Sequence, residues 1–446
     1  MRYEERLFKV LKDYKALNMA SFHPPGHKNN CDFLNDLLSF DFTELDYTDS
    51  LFEANGAILK AEEYAAKIFG SKRTLFSAGG CTLCIQAMLR LVGKSGGKII
   101  CSRVLHKSAI NTMALLNLKP IFIEQKQDLK TGFLNPVDPF AVEAALKTNE
   151  GVNAVYLTSP DYFGVLSDVK RISKICKNYN VPLIVDNAHG SHLGFLEENL
   201  HPLHLGADMT ADSLHKTLPV LTGGALLHIN NEKYISRAKQ AMALFGSTSP
   251  SYPIMASLDL CSDWIKNKAK IEYKKLINNL KPIKKILKEK GILIPRGLVD
   301  PTRISINLNS IGLTGFDCAE FFKRFGLEPE LYTEDFMVLI LTPFNKDEDF
   351  LKLKNAFMSL EIKKAERFNP RFNKFFQKEL LLKMSLNEAI LSESEVIDVG
   401  KSENRISAGT VCPCPPGVPV VIPGEIVTRE HIELLLSCGI LFIEVI

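Results

Sequence analysis

Three short segments hold residue types that could do chemistry together. VDNAHGSHLGF (185–195) ends an apolar run in the carboxylate of Asp186 and follows it with His189 and His192. ADSLHKTLP (211–219) brings Ser213, His215 and Lys216 close behind one another. SAGGCTLCIQAML (77–89) sets Gly79, Gly80, Cys81 and Thr82 at the start of an apolar helical run. A lysine amine turns catalytic when it can form an imine with a carbonyl. Small residues, a hydroxyl and a helix N-terminus suit a phosphate. Each segment also has a plainer reading: Asp186 as a turn or cap residue, Lys216 as a solvated side chain, the glycine pair as a simple turn.

The bulk composition limits the alternatives. At 446 residues the chain exceeds the roughly 250–300 residues at which one core stops growing, so two or more domains are expected. Hydrophobic residues make up 46% and charged residues 24%, an ordinary globular balance. The formal net charge is only +3, with both signs mixed along the chain. No basic stripe is present to follow a nucleic-acid backbone. No stretch of 18 apolar residues suggests a membrane span. The opening MRYEERLFKVLKDYKAL is amphipathic and charged, unlike a signal peptide. The ten cysteines are therefore expected to be reduced thiols in a cytoplasmic protein. The pairs Cys81/Cys84 and Cys412/Cys414 lie far apart and lack a matching histidine pattern, so no metal is expected.

The elements that must position these residues are legible as alternating patterns. DVKRISKICKNYN (168–180) carries Val169, Ile172, Ile175, Cys176 and Tyr179 at helical spacing. AVYLTSP (154–160) before it and VPLIVD (181–186) after it are short β-branched runs closed by turn formers. Strand, helix, strand at this spacing predicts two parallel strands of one sheet. GKIICS (97–102) and GGALLHI (223–229) read as further buried strands. Residues 263–291 are lysine-rich and helical, and PRGLVDPTR (295–303) reads as a boundary. Beyond it RISINL, FMVLILTP and GILFIEVI predict strands of a smaller α/β domain, with 362–380 as a solvated helical connection. The expected division is an N-terminal arm over 1–55, a large domain over 56–295 and a small C-terminal domain over 296–446. In an open parallel sheet, ligands gather at the carboxyl ends of strands. Asp186, Ser159 and the Ser213–Lys216 segment all fall at such ends.

An imine-forming lysine, an acid for a ring nitrogen and a phosphate cradle together point to pyridoxal phosphate, PLP. His106–Lys107 and His215–Lys216 are both candidate His-Lys pairs. The chain resembles the Orn/Lys/Arg decarboxylases over nearly its whole length. FHPPGHK (22–28) is similar to the family's N-terminal F-H-x-P-G-H-K, SLHK (213–216) to its S-x-H-K, and CPCPPGVPVVIPGE (412–425) to its C-terminal P-Y-P-P-G-x-P…P-G-E.

The resemblance implies PLP fold type I: a mainly parallel, aspartate-aminotransferase-like α/β domain with an N-terminal arm and a smaller C-terminal α/β domain. It implies that Lys216 carries PLP, that His106 stacks on the ring, that Asp186 meets the ring nitrogen, and that Ala188 and His189 lie beside the ring. Gly80, Cys81, Thr82, Ser213 and His215 fall where the family holds the phosphate. Lys216 and His215 are the proton-donor candidates. Glu425 is placed toward the distal cation of a basic substrate, with a turn glutamate ahead of a helix near Thr428 as the plainer reading. Three departures stand out: Cys81 replaces a hydroxyl residue, Cys414 stands where tyrosine is common in the substrate pocket, and His189 takes a place often held by tryptophan. The implied reaction is decarboxylation of lysine, ornithine or arginine, by a homodimer or higher homo-oligomer with shared sites, as in polyamine biosynthesis. The alternatives are another reaction on this scaffold, such as transamination with Arg303 gripping the α-carboxylate or aldol cleavage, and a non-catalytic PLP-binding descendant.

Overall fold

The computed structural model describes residues 19–22, 28, 42–44, 48–362, 381–413 and 418–446. Cys414, the amphipathic opening, most of FHPPGHK and nearly all of the 362–380 connection lie outside the described residues.

The centre is a seven-stranded sheet in the order β2-β8-β7-β6-β5-β3-β4. Its strands are β2 (Arg73–Ser77), β3 (Lys98–Ser102), β4 (Lys119–Ile123), β5 (Val152–Thr158), β6 (Leu183–Asp186), β7 (Met209–Asp212) and β8 (Ala225–Ile229). The pairs from β7 through β6, β5 and β3 to β4 are parallel, whereas β8 runs antiparallel to both β7 and β2. The strands read as continuous apolar runs because both faces are covered by helices. On one face packs the helix Gly80–Val92 (α2, following Ala57–Phe69, α1), which buries Leu83, Ile85, Met88 and Leu91. Behind it sits α3 (Lys107–Leu115). The opposite face receives α4 (Pro139–Thr148) and α5 (Val169–Asn178). The α5 stripe is the predicted one: Val169, Ile172 and Cys176 are buried with the β5 and β6 side chains, while Ile175 and Tyr179 pack at its margin. Asp168 caps this helix through Arg171 N–H, and a capping carboxylate typically contributes ~1 kcal/mol.

Register fixes the site. Asp186 lies opposite Thr158 of β5 and Ala211 of β7, so three adjacent strands end at one level. The chain leaves β7 into a single helical turn, Leu214–Thr217, which lifts His215 and Lys216 over the same edge.

A long helical stretch, Tyr252–Glu289, leads out of the sheet region. The strand β9 (Arg303–Asn307) then joins β11 (Leu331–Tyr332) and β12 (Phe336–Ile340) in an antiparallel sheet. Between β9 and β11 runs β10 (Leu327–Pro329), which pairs in parallel with the arm strand β1 (Ala20–Phe22). The third predicted strand, GILFIEVI, does not join this sheet: β14 (Phe442–Val445) pairs with β13 (Glu395–Asp398) and has a core of its own around Val420, Val427 and Leu435. Among the described residues, 296–446 thus holds two sheets of its own, besides β10, which pairs with the arm.

Candidate active site

A cavity of about 230 Å³ opens at the carboxyl edge of the sheet. Its wall brings together every one of Gly80, Cys81, Thr82, His106, Asp186, Ala188, His189, Ser213, His215 and Lys216. Asp186 and Lys216 therefore share one enclosed space.

Each wall residue is set by a local device. Gly80 opens α2 with φ +71°, a left-handed backbone that favours glycine, and an added Cβ there would meet nothing within 4 Å, so conformation and not crowding demands glycine. No side chain caps this helix start; Gly80 N–H donates to the Gly223 carbonyl at 2.8 Å, and the first-turn N–H groups after it are of the kind that suits an anion. Cys81 is buried, and burial pushes its thiol well above the usual range. It offers a neutral, weak donor where a hydroxyl would be stronger. Thr82 is exposed toward the opening. His106 caps α3, its Nδ1 accepting from Ser108 N–H at 3.2 Å. Burial, then the charges of Lys216 and Lys107, hold its imidazole down to about 4, so it is neutral at physiological pH.

Asp186 is almost wholly buried and keeps two donors: Tyr156 O–H to Oδ2 at 3.1 Å and Ala188 N–H to Oδ1 at 3.1 Å. Burial raises its carboxyl, against the pull of these bonds and of Lys216. A cationic ring nitrogen beside it would restore the carboxylate. The Lys216 amine is lowered, chiefly by burial, and its Nζ sits 3.0 Å from His189 Nε2. His189 Nδ1 in turn lies 3.3 Å from Arg303 Nη1. His215 Nδ1 approaches Ser213 Oγ and the Gly224 carbonyl, each at 3.3 Å.

The wall also holds residues that the sequence patterns did not single out: Thr158, Asp161, Tyr162, Val104, Leu105 and Val418. Asp161 and Tyr162 directly follow the Ser159–Pro160 turn at the end of β5, so that strand end carried a usable signal. Asp161 Oδ1 accepts from Val165 N–H at 2.8 Å, while Oδ2 has no partner. Burial lifts its carboxyl to about 6.

Glu425 is not among the described residues that line the cavity; its Oε2 accepts from Arg103 Nη2 at 2.8 Å and from Ile422 N–H at 3.1 Å. Arg103 and Glu425 are both buried and form an ion pair. A carboxylate neutralised inside the chain does not serve as counter-charge to a substrate cation. The turn reading fits better, since the next helix, Arg429–Ser437, is capped by Thr428.

Among the described residues, His201, Asp212 and His228 form a buried group with metal-binding residue types. Leu203 N–H donates to His201 Nδ1 at 3.2 Å, and His201 Nε2 meets Asp212 Oδ2 at 2.8 Å. Asn187 Nδ2 donates to the same oxygen at 2.6 Å. The group ties the residue after Asp186 to the residue before Ser213.

The Orn/Lys/Arg decarboxylase major-domain profile matches residues 6–294, and the C-terminal-domain profile of that family matches residues 365–438. The chain belongs to the Orn/Lys/Arg decarboxylase family. An arginine decarboxylase of Bacillus subtilis (strain 168) is 30% identical over 460 aligned residues, spanning 97% of this chain and 93% of that protein. The structure of the Francisella novicida lysine decarboxylase superimposes with a TM-score of 0.78 at 16% identity, covering 99% of this chain and 84% of that one. A structure of SPT with PLP superimposes on 76% of this chain and 87% of its own length, with a TM-score of 0.60 and 11% identity. The fold is that of the PLP fold-type-I enzymes, α/β with a mainly parallel central sheet, and these structural neighbours share it at 16% and 11% identity.

Proposed function

We propose that the protein is a PLP-dependent decarboxylase that removes the α-carboxylate of a basic amino acid. The observation that carries the reading is the single cavity shared by Asp186, Lys216 and the uncapped start of α2. These residues fit PLP in chemistry: an anion cradle, a buried acid for a ring nitrogen, and an amine that burial favours in its neutral, nucleophilic form. Bound PLP would supply an electron sink for the pair left behind when CO2 departs.

The chain's own groups have separable tasks. First-turn N–H groups of α2, with Thr82, Ser213 and His215, would hold the phosphate. Neutral His106 supplies a flat ring without competing charge. Asp186, kept in place by Tyr156 and Ala188, would meet the ring nitrogen. Lys216 would hold the coenzyme through its amine and would serve as the acid–base group at the substrate's α-carbon. Val104, Leu105, Ile85 and Val418 give the cavity an apolar side, which disfavours a charged carboxylate and promotes its loss.

The relatives include an arginine decarboxylase and a lysine decarboxylase, which supports a basic substrate and makes arginine the first to try. A homodimer with shared sites and a cytoplasmic location belong to the same proposal; support for the dimer is the resemblance, and light scattering on the purified protein tests it. The holoenzyme incubated with arginine, lysine and ornithine is expected to release CO2 and the matching amine from at least one. Keto acid without CO2 would mean transamination, and PLP binding without turnover of any amino acid would mean a non-catalytic descendant.

A further inference from the structure

His189 bridges two strong bases, and its hydrogen-bond geometry fixes more than its position. A guanidinium has five donors and no acceptor. Arg303 Nη1, 3.3 Å from His189 Nδ1, therefore leaves that nitrogen only the acceptor role. The neutral ring must then carry its hydrogen on Nε2, which faces Lys216 Nζ at 3.0 Å. An ammonium also lacks an acceptor, so this contact forms only when Lys216 is an uncharged amine. Arg303 is itself held: it is buried, Nη1 also donates to the Tyr162 carbonyl at 2.8 Å, and its alkyl chain packs against Gly164. The Tyr162 ring meets His189 edge-on, with centroids 4.9 Å apart, and prevents the imidazole from turning freely.

We infer that Arg303 is a positioning residue that locks His189 in its Nε2–H form and thereby holds Lys216 as a neutral amine, ready to take up a carbonyl. The inference rests on the proposed PLP chemistry of Lys216. It also gives meaning to a histidine where the family often has tryptophan, because an indole nitrogen can donate but its ring has no acceptor for Arg303.

The other groups around Lys216 do not produce this state unaided. Asp186, Glu330 and an ionised Cys81 would favour the ammonium, and Arg303 opposes it. The Cys81 thiol stays protonated, His106 is neutral, and burial with the charge of Arg303 keeps His189 from taking a second proton. Burial and the Arg303–His189 pair act in the same direction.

The test uses purified apoprotein mixed with PLP, following the visible imine band against pH without any substrate. In Arg303→Gln the rate-versus-pH curve is expected to move to higher pH, with the rate at pH 7 falling about tenfold, equivalent to one unit in the amine's pKa. Arg303→Lys, which keeps a charge and a donor, should stay near wild type. His189→Gln, whose amide can accept from Arg303 and donate to Lys216, should shift less than His189→Leu, which should shift as Arg303→Gln does. If Arg303→Gln does not fold, the two His189 variants carry the comparison. An unshifted profile in Arg303→Gln or His189→Leu overturns the inference. So does an unshifted profile with a raised KM for amino acids, which would assign Arg303 to gripping the substrate carboxylate. No visible band in wild type at any pH would instead sink the PLP reading itself.

Discussion

Removing the Glu425 carboxylate should damage the fold before it touches substrate recognition. Arg103 and Glu425 are each under a tenth exposed, and the guanidinium has two bonded contacts, Glu425 Oε2 at 2.8 Å and the Val420 carbonyl at 2.9 Å, while Nη1 has none. In Glu425→Ala the positive charge stays buried with one carbonyl for company. Breaking a buried pair from one side typically costs about 3–5 kcal/mol. With 446 residues and an unfolding entropy of about 2.1 cal/mol/K per residue, that corresponds to a Tm lower by roughly 3–5 °C if the chain unfolds as one unit. Removing both charges, in Arg103→Met with Glu425→Leu, should regain most of the loss, because no unpaired ion remains. Calorimetry or thermal circular dichroism of the three proteins reads the pattern. The milder Glu425→Gln keeps an acceptor for Arg103 and should leave KM for a basic amino acid close to wild type. A raised KM in Glu425→Gln with an unchanged Tm in Glu425→Ala would refute this reasoning and return Glu425 to the substrate.

Two further outcomes follow from buried titrating groups. Asp161 is raised from its ordinary value to about 6, so ionising it opposes folding: the penalty is absent below the unfolded value near 3.8 and complete above about pH 6. Asp161→Asn, which can still accept from Val165 N–H, should therefore stabilise the protein by roughly 1–3 kcal/mol at pH 8 and by little at pH 4, as read by denaturant titration at both values. His106 and His228 are held down to about 4 by burial. The unfolded chain takes up protons at these positions below about 6.5 while the folded one does not, so stability should fall as pH drops from 6.5 toward 4. His228→Asn, which keeps a polar partner for Thr74, should flatten that slope; an unchanged slope would contradict the assignment.

The sheet and most of the site were legible because each rests on local pattern. The apolar runs before Ser159 and Asp186 end in turn formers, and parallel pairing brings those ends, with the end of β7 before Ser213, to one edge. Order along the chain pointed to the glycine-rich helix start, Asp186 and a later lysine, while the choice of Lys216 over Lys107 and the place of His215 rested on the resemblance. The contacts that tune them could not be read this way: His189 meets Arg303 across 114 positions, and Arg103 meets Glu425 across 322. No periodicity reports on such pairs. Glu425 could be read from the sequence as facing a substrate or as a turn glutamate, because its partner lies 322 positions away and an arginine just after a buried strand gives no sign of where it will turn. The separate sheet of β13 and β14 was missed for a related reason, since strand patterns give existence and not partners. His189 lines the cavity with Asp186 and Lys216, but its hydrogen-bond role depends on a residue in another sheet.

The central claim is that one coenzyme joins Lys216 and Asp186 in one cavity. Borohydride reduction of the holoenzyme, followed by peptide mass mapping, tests it most directly. A pyridoxyl phosphate mass on the peptide carrying Lys216, lost in Lys216→Ala, is the predicted result. The same mass on Lys107, or on no lysine at all, would contradict it.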